Sequence, residues 1–197
     1  MDWGVAARPL AGQSVSGDLH AVHVFDHSLL LAVIDGVGHG REATAAAQRA
    51  AAILGEHGAE PVIALVRRCH EALAKTRGAV MTLASVNVRD SILTWLGVGN
   101  VEARLFRADA NTFPATENLL LRGGLVGLQL PALHASVMPL SPGDLLVFAT
   151  DGLHTGFDQR INLTETPQQI ADGILERHYK GLDDALILAA RYLGPSP

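Results

Sequence analysis

Five aspartates share one setting in this sequence. Asp18 stands in "VSGDLHAV", at the start of an apolar run, and Asp35 closes "LLLAVI". Asp151 follows "DLLVFAT" and precedes Gly152, while Asp183 and Asp184 precede "ALILAARYL". A carboxylate at the end of a buried run is costly unless something compensates it. Adjacent glycines let the backbone bend sharply or come close to another group. If these run ends meet, four or five carboxylates converge and repel, and some must stay protonated unless a cation joins them. Hard oxygen donors in that number suit Mg²⁺ or Mn²⁺, with water completing the shell. Zinc prefers His and Cys. Two metals sharing a carboxylate would activate a water and clamp phosphoryl oxygens, the machinery of phosphate-ester hydrolysis. Any one Asp alone is better read as a turn or cap residue, so the case rests on the set.

Other reactive side chains carry less. His39, in "DGVGHG", could protonate a leaving oxygen, but hydrogen bonding within the glycine turn is the preferred role. Arg41 could meet a phosphate bidentately or lie on a helix surface. Cys69 falls on an apolar helix face and reads as core. His20, His23 and His27 do not form a zinc site, because His20 and His23, three apart in a strand, face opposite ways. Trp3 and Trp95 read as core or sheet packing, and Asn100 as a tight-turn residue. Asp144, in "SPGDLL", reads as a hairpin turn without a catalytic role.

The elements that must position these residues follow from periodicity. Strands are expected near 3–7 and 19–25, with "HSLLLAVI" returning as a hairpin after a turn at Asp26 and His27. "REATAAAQRAAAILGEH" reads as an alanine-rich helix able to pack close to a neighbour. A second helix starts at Pro61 and recurs through Val62, Leu65, Val66, Cys69 and Leu73, with Gly78 ending it. "AVMTLASVNV", "SILTWLGV", "NVEARLFR", "NLLLR" and "DLLVFAT" read as strands. "TPQQIADGILERHY" is a late helix and "DDALILAARYL" a final strand. Hairpins dominate, which predicts an α+β sandwich of two mainly antiparallel sheets covered by helices, in one domain over 1–197.

The totals exclude several classes. The 197 residues are 48% hydrophobic and 18% charged, so the chain is globular. A formal charge of −5 without a basic run argues against nucleic acid. No run approaches the ~20 apolar residues that span a bilayer, and no membrane partner is expected. The N-terminus lacks signal-peptide features, and the single cysteine fits a reducing compartment, so a cytoplasmic location is expected.

"SGD", "VIDGVGHGREA", "LSPGDLLVFATDGL" and "DDALIL" resemble, in order and spacing, the metal-dependent serine/threonine phosphatases (PPM). The bacterial branch with SpoIIE, RsbU and RsbX is the more similar one, and "GVGNVEARL" looks most like its RsbX-type, stressosome-associated members. The resemblance implies a PPM-type β-sandwich in α-β-β-α layers and a site for two divalent metal ions, Mn²⁺ or Mg²⁺. It implies that Asp35 bridges the metals, that the Gly36 carbonyl binds one, and that Asp18 serves that side directly or through water. Asp151 and Asp183 would hold the other, with Asp184 as the reserve. It further implies hydrolysis of phosphoserine or phosphothreonine on phosphorylated stressosome-type or anti-sigma-pathway proteins. Val37 stands where the branch often has a small residue. The phosphate-gripping arginine of eukaryotic relatives has no aligned counterpart, although Arg8 lies in the neighbouring region. Phosphate binding is therefore expected to rest on the metals, with His39 and Arg41 as weak candidates. Two other readings fit these residues: a silent phosphoprotein-binding module, or a hydrolase of small phosphate esters. The oligomeric state is open.

Overall fold

The computed structural model describes residues 1–159 and 161–195. In chain order it contains β1 (Asp2–Arg8), β2 (Asp18–Phe25), β3 (Ser28–Gly36), α1 (Arg41–His57), α2 (Val62–Leu73), β4 (Ala79–Asn87) and β5 (Ile92–Val98). There follow β6 (Glu102–Phe106), β7 (Thr116–Asn118), β8 (Ser136–Pro139), β9 (Leu145–Ala149), α3 (Pro167–His178) and β10 (Ala185–Arg191). Two five-stranded sheets form, in the orders β1-β10-β9-β6-β7 and β2-β3-β4-β5-β8. Every strand pairing within them is antiparallel.

Strand β3 shows why the layers form. Its run Leu29–Ile34 is buried throughout, as expected where both faces are covered. Side chains alternate across a strand. Leu30, Ala32 and Ile34 pack with Ala46, Ala50, Leu54, Leu65 and Cys69 of α1 and α2. Leu29, Leu31 and Val33 face the other way, among Trp95, Phe148, Leu188 and Tyr192 between the sheets. On the far side, Ile170, Ala171 and Ile174 of α3 cover Val147, Ile187 and Ala189. The result is two antiparallel sheets covered by helices, as the hairpin pattern predicts, in the α-β-β-α layers that the resemblance implies. Helix α3 begins with a capping box between Thr166 and Gln169, with Pro167 in its first turn.

Three local readings are corrected. "NLLLR" is not a strand of its own: β7 ends at Asn118, and the following segment leaves the first sheet for the end of the second. It forms single bridges there, Val98 with Arg122 and Ala79 with Val126, so its three consecutive leucines belong to a crossing rather than a ladder. Strand β8, only Ser136–Pro139, is too short to stand out in the sequence, yet it pairs with β5 at the sheet edge. Trp3 is not core: it is 45% exposed and tilts against His20 at a ring separation of 5.8 Å. It sits on edge strand β1, opposite the face on which Gly4 and Ala6 are buried.

Candidate metal centre

The hairpin β2–β3 builds half of the site by register alone. Phe25 pairs with Ser28 across the turn at Asp26 and His27, which sets Asp18 directly opposite Asp35. Directly opposed side chains lie about 5 Å apart at Cβ, and like charges there are unfavourable. Asp35 alternates with Ile34 and so points with Val33 toward the other sheet. The second half comes from that sheet. Strands β9 and β10 are antiparallel neighbours, so Asp151, after β9, and Asp183, before β10, emerge at the same end. Thr150 ties the halves together: its Oγ1 donates to Asp18 Oδ2 at 2.7 Å and accepts from the Leu186 amide at 2.8 Å.

The electrostatics match a cluster lacking counter-charge. Burial pushes the Asp18 carboxyl up from 3.8 to about 7; the Thr150 hydrogen bond opposes this, and the charges of Asp184, Asp151 and Asp183 reinforce it. Burial raises Asp35 to about 8, reinforced by Asp18, Asp151, Asp183 and Asp184. Among the described residues none of these five aspartates forms an ion pair.

Adjacent Asp183 and Asp184 have opposite fates. Asp184 is 3% exposed, and its two oxygens accept from the amides of Leu10 at 2.7 Å and Gly17 at 2.6 Å. It anchors the loop before β2. Asp183 is exposed, and its Oδ1 accepts from the Asp184 amide at 2.8 Å. The Gly36 amide donates to the Gly17 carbonyl at 3.1 Å, which binds the loop before Asp18 to the end of β3. Gly36 is required by helix α1, since a Cβ there would sit 2.1 Å from the Ala43 carbonyl oxygen. Gly38 and Gly40 take positive φ, 88° and 75°, which holds the loop open before α1.

His39 is exposed, and no hydrogen bond from its ring to the glycine turn is present among the described residues, so the turn-stabilising role expected for it is not seen. Arg41 is exposed on the first turn of α1. Arg8 lies over the Tyr179 ring at 5.0 Å. Asp144 is structural, as expected: it is buried and accepts from the amides of Ser141 and Ala108 and from Arg107.

Three residues at the centre escaped the sequence reading. Asn100 Nδ2 donates to Asp151 Oδ2 at 2.7 Å; "GN" signalled only a turn. Lys180 Nζ donates to the Asp151 carbonyl at 2.7 Å. Thr150 was hidden inside an apolar run. Each partnership joins residues far apart in the chain, and local pattern carries no trace of it.

Among the described residues no three His, Cys, Asp or Glu side chains close into a ready-made cage around one point. What stands at the sheet ends is a set of hard oxygen donors, Asp18 and Asp35 on one sheet and Asp151 and Asp183, just after β9 and just before β10, on the other. Burial pushes two of these carboxyls up, Asp18 to about 7 and Asp35 to about 8, and the neighbouring carboxylates reinforce it. That donor chemistry fits magnesium or manganese completed by water and does not fit a thiolate or imidazole metal.

The family described as Stage II sporulation protein E (SpoIIE) matches residues 26–193. The chain belongs to the SpoIIE family. It is 28% identical over 102 residues to "Phosphoserine phosphatase RsbX" of Bacillus subtilis (strain 168), a match spanning 52% of this chain and 51% of RsbX. The chain thus matches about half the length of that curated relative. Its structure resembles a chain from work described as "The bacterial stressosome: a modular system that has been adapted to control secondary messenger signaling". The TM-score is 0.87 and the identity 27%, over 96% of this chain and 98% of that one. RsbX in complex with magnesium is similar in fold, with a TM-score of 0.83 and 21% identity over 94% of this chain and 92% of that one. The architecture of this SpoIIE-family chain is that of the PPM phosphatases.

Proposed function

We propose that this chain, as one catalytic unit over residues 1–197, is a divalent-metal-dependent protein serine/threonine phosphatase acting on phosphorylated proteins of a stress-signalling complex. The observation that carries the reading is the pair Asp18 and Asp35, opposed in register, both raised in pKa by burial and by the neighbouring charges of Asp151 and Asp183, with none of the four in an ion pair among the described residues. Membership of the SpoIIE family and similarity to RsbX support it.

In this reading Asp35, Asp18 and the Gly36 carbonyl hold one side of a two-metal site, and Asp151 and Asp183 the other. Magnesium or manganese bound there would lower the pKa of a water and neutralise phosphate oxygens. The chain's own part is placement. Thr150 orients Asp18 and Asn100 orients Asp151. Lys180 fixes the Asp151 backbone, and Asp184 secures the loop that delivers Asp18. In this reading water would attack the phosphorus and displace the serine or threonine oxygen, and no phosphoenzyme would form.

The test is phosphate release from a phosphoserine protein or peptide with Mn²⁺, with Mg²⁺ and with EDTA, for wild type and Asp35→Asn. Release that requires metal and is lost in the variant supports the phosphatase. Mn²⁺ binding without release from any phosphoprotein supports a binding module instead. Faster turnover of free phosphorylated metabolites than of phosphoprotein supports a small-ester hydrolase.

A further inference from the structure

A pocket of about 340 Å³ lies beside the glycine loop of the metal centre, lined by Glu42, Ala45, Ala46, Lys75, Thr76 and Arg77. Its wall is the turn between α2 and β4. That turn is braced internally: Thr76 Oγ1 donates to the Leu73 carbonyl at 2.8 Å and accepts from the Gly78 amide at 3.0 Å. It is also bonded to the site, because the Val37 amide donates to the Gly78 carbonyl at 3.1 Å. One Arg77 guanidinium nitrogen lies 2.9 Å from where a Cβ on Gly38 would stand. A cationic rim therefore adjoins a carboxylate centre in a chain whose net charge is −5.

Arg77 pairs with Glu42, and both side chains are solvent-exposed, at 51% and 69%. Such a surface pair contributes little and exchanges readily. Lys75 forms no ion pair among the described residues. The lining thus carries two cations against one carboxylate. Gly38 lies three positions on from Asp35, a stretch that spans at most about 11 Å. An extended peptide advances about 3.3 Å per residue. We propose that this pocket receives an acidic side chain of the protein substrate, about three or four residues from the phosphorylated one. Lys75 and Arg77 are its specificity-determining residues, and Glu42 is an internal competitor holding Arg77 in place. The inference rests on the phosphatase reading and names the substrate feature that the site selects.

The test uses pairs of labelled peptides carrying a non-hydrolysable phosphonate analogue of phosphoserine. The peptides have Glu or Gln three and four residues to either side, and binding is read by fluorescence anisotropy with Mn²⁺. Wild type is expected to bind the Glu peptide about threefold to tenfold more tightly, the size of one or two exposed ion pairs, with the preference shrinking at high salt. In the double variant Lys75→Gln/Arg77→Gln the ratio should fall to about one, because its rim no longer pairs with a carboxylate. Glu42→Gln should raise the ratio above wild type. Equal binding of both peptides by wild type, no measurable binding of either, or a preference that survives the double variant overturns the proposal. Phosphate release from the matching phosphoserine peptides is followed in parallel. A Glu preference in binding without any release overturns the phosphatase reading and leaves the pocket standing.

Discussion

At the residue scale the centre is a set of carboxylates held together against their charge. The Asp35 carboxyl titrates at about 8 in the folded chain, against 3.8 for an ordinary Asp. Between those values the folded state keeps a proton that the unfolded chain gives up. Stability of the metal-free protein therefore declines as pH rises through this window, and Asp18, at about 7, adds to the decline. Asp35→Asn removes one of the charges. In metal-free buffer its melting temperature should match wild type near pH 4 and exceed it most near pH 8, by about 2–4 °C for each kcal/mol relieved. Thermal melts across pH check this, and a variant less stable than wild type at pH 8 would make Asp35 a structural residue. Thr150→Val tests the tie between the sheets. It leaves the Leu186 amide and Asp18 without their partner, so a loss of about 1–3 kcal/mol is expected in urea unfolding. Asn100→Ala should leave the fold stable and weaken Mn²⁺ binding, read by calorimetry, because Asp151 loses the donor that aims it.

At the scale of elements the site depends on close approach of backbone to backbone. Helix α1 reaches the metal loop because its buried face is alanine, with Ala43, Ala46, Ala47 and Ala50 all enclosed. Gly36 leaves room for the Ala43 carbonyl. Gly36→Ala puts a methyl 2.1 Å from that oxygen, so α1 has to shift. The expected cost is about 1–3 kcal/mol, visible as a lower urea midpoint, together with weaker Mn²⁺ binding. The glycine cluster was legible in the sequence as a constrained turn. Its second reason, the proximity of α1, was not, because it depends on how a helix lies on a sheet. "NLLLR" failed for a related cause. A short continuous apolar run satisfies the buried-strand pattern whether or not a ladder forms beside it.

At the scale of the whole molecule, each sheet supplies one half of the centre and the apolar layer between them sets the distance. The inter-sheet layer joins Leu31 and Val33 of one sheet to Phe148 and Leu188 of the other. A cation bound across the two halves stabilises the folded state by mass action, about 2.7 kcal/mol at a hundredfold excess over Kd. Mn²⁺ should therefore raise the melting temperature of wild type by several degrees, and EDTA should reverse it. A chain whose melting temperature is insensitive to Mn²⁺ would argue against a metal held between the sheets.

The sequence by itself determined the layers, because apolar periodicity and helix formers are local, and it determined half of the site. A two-residue turn at Asp26 and His27 fixes the hairpin register, and the register places Asp18 opposite Asp35. Only the tertiary structure decided the rest. It brought Asp151 and Asp183 within electrostatic reach of that pair and buried Asp184 on the amides of Leu10 and Gly17. It also seated Asn100 on Asp151 and laid Arg77 against the glycine loop. These contacts join segments far apart in the chain, and their geometry is set by how two twisted sheets and three helices pack, which no local spacing of residues encodes.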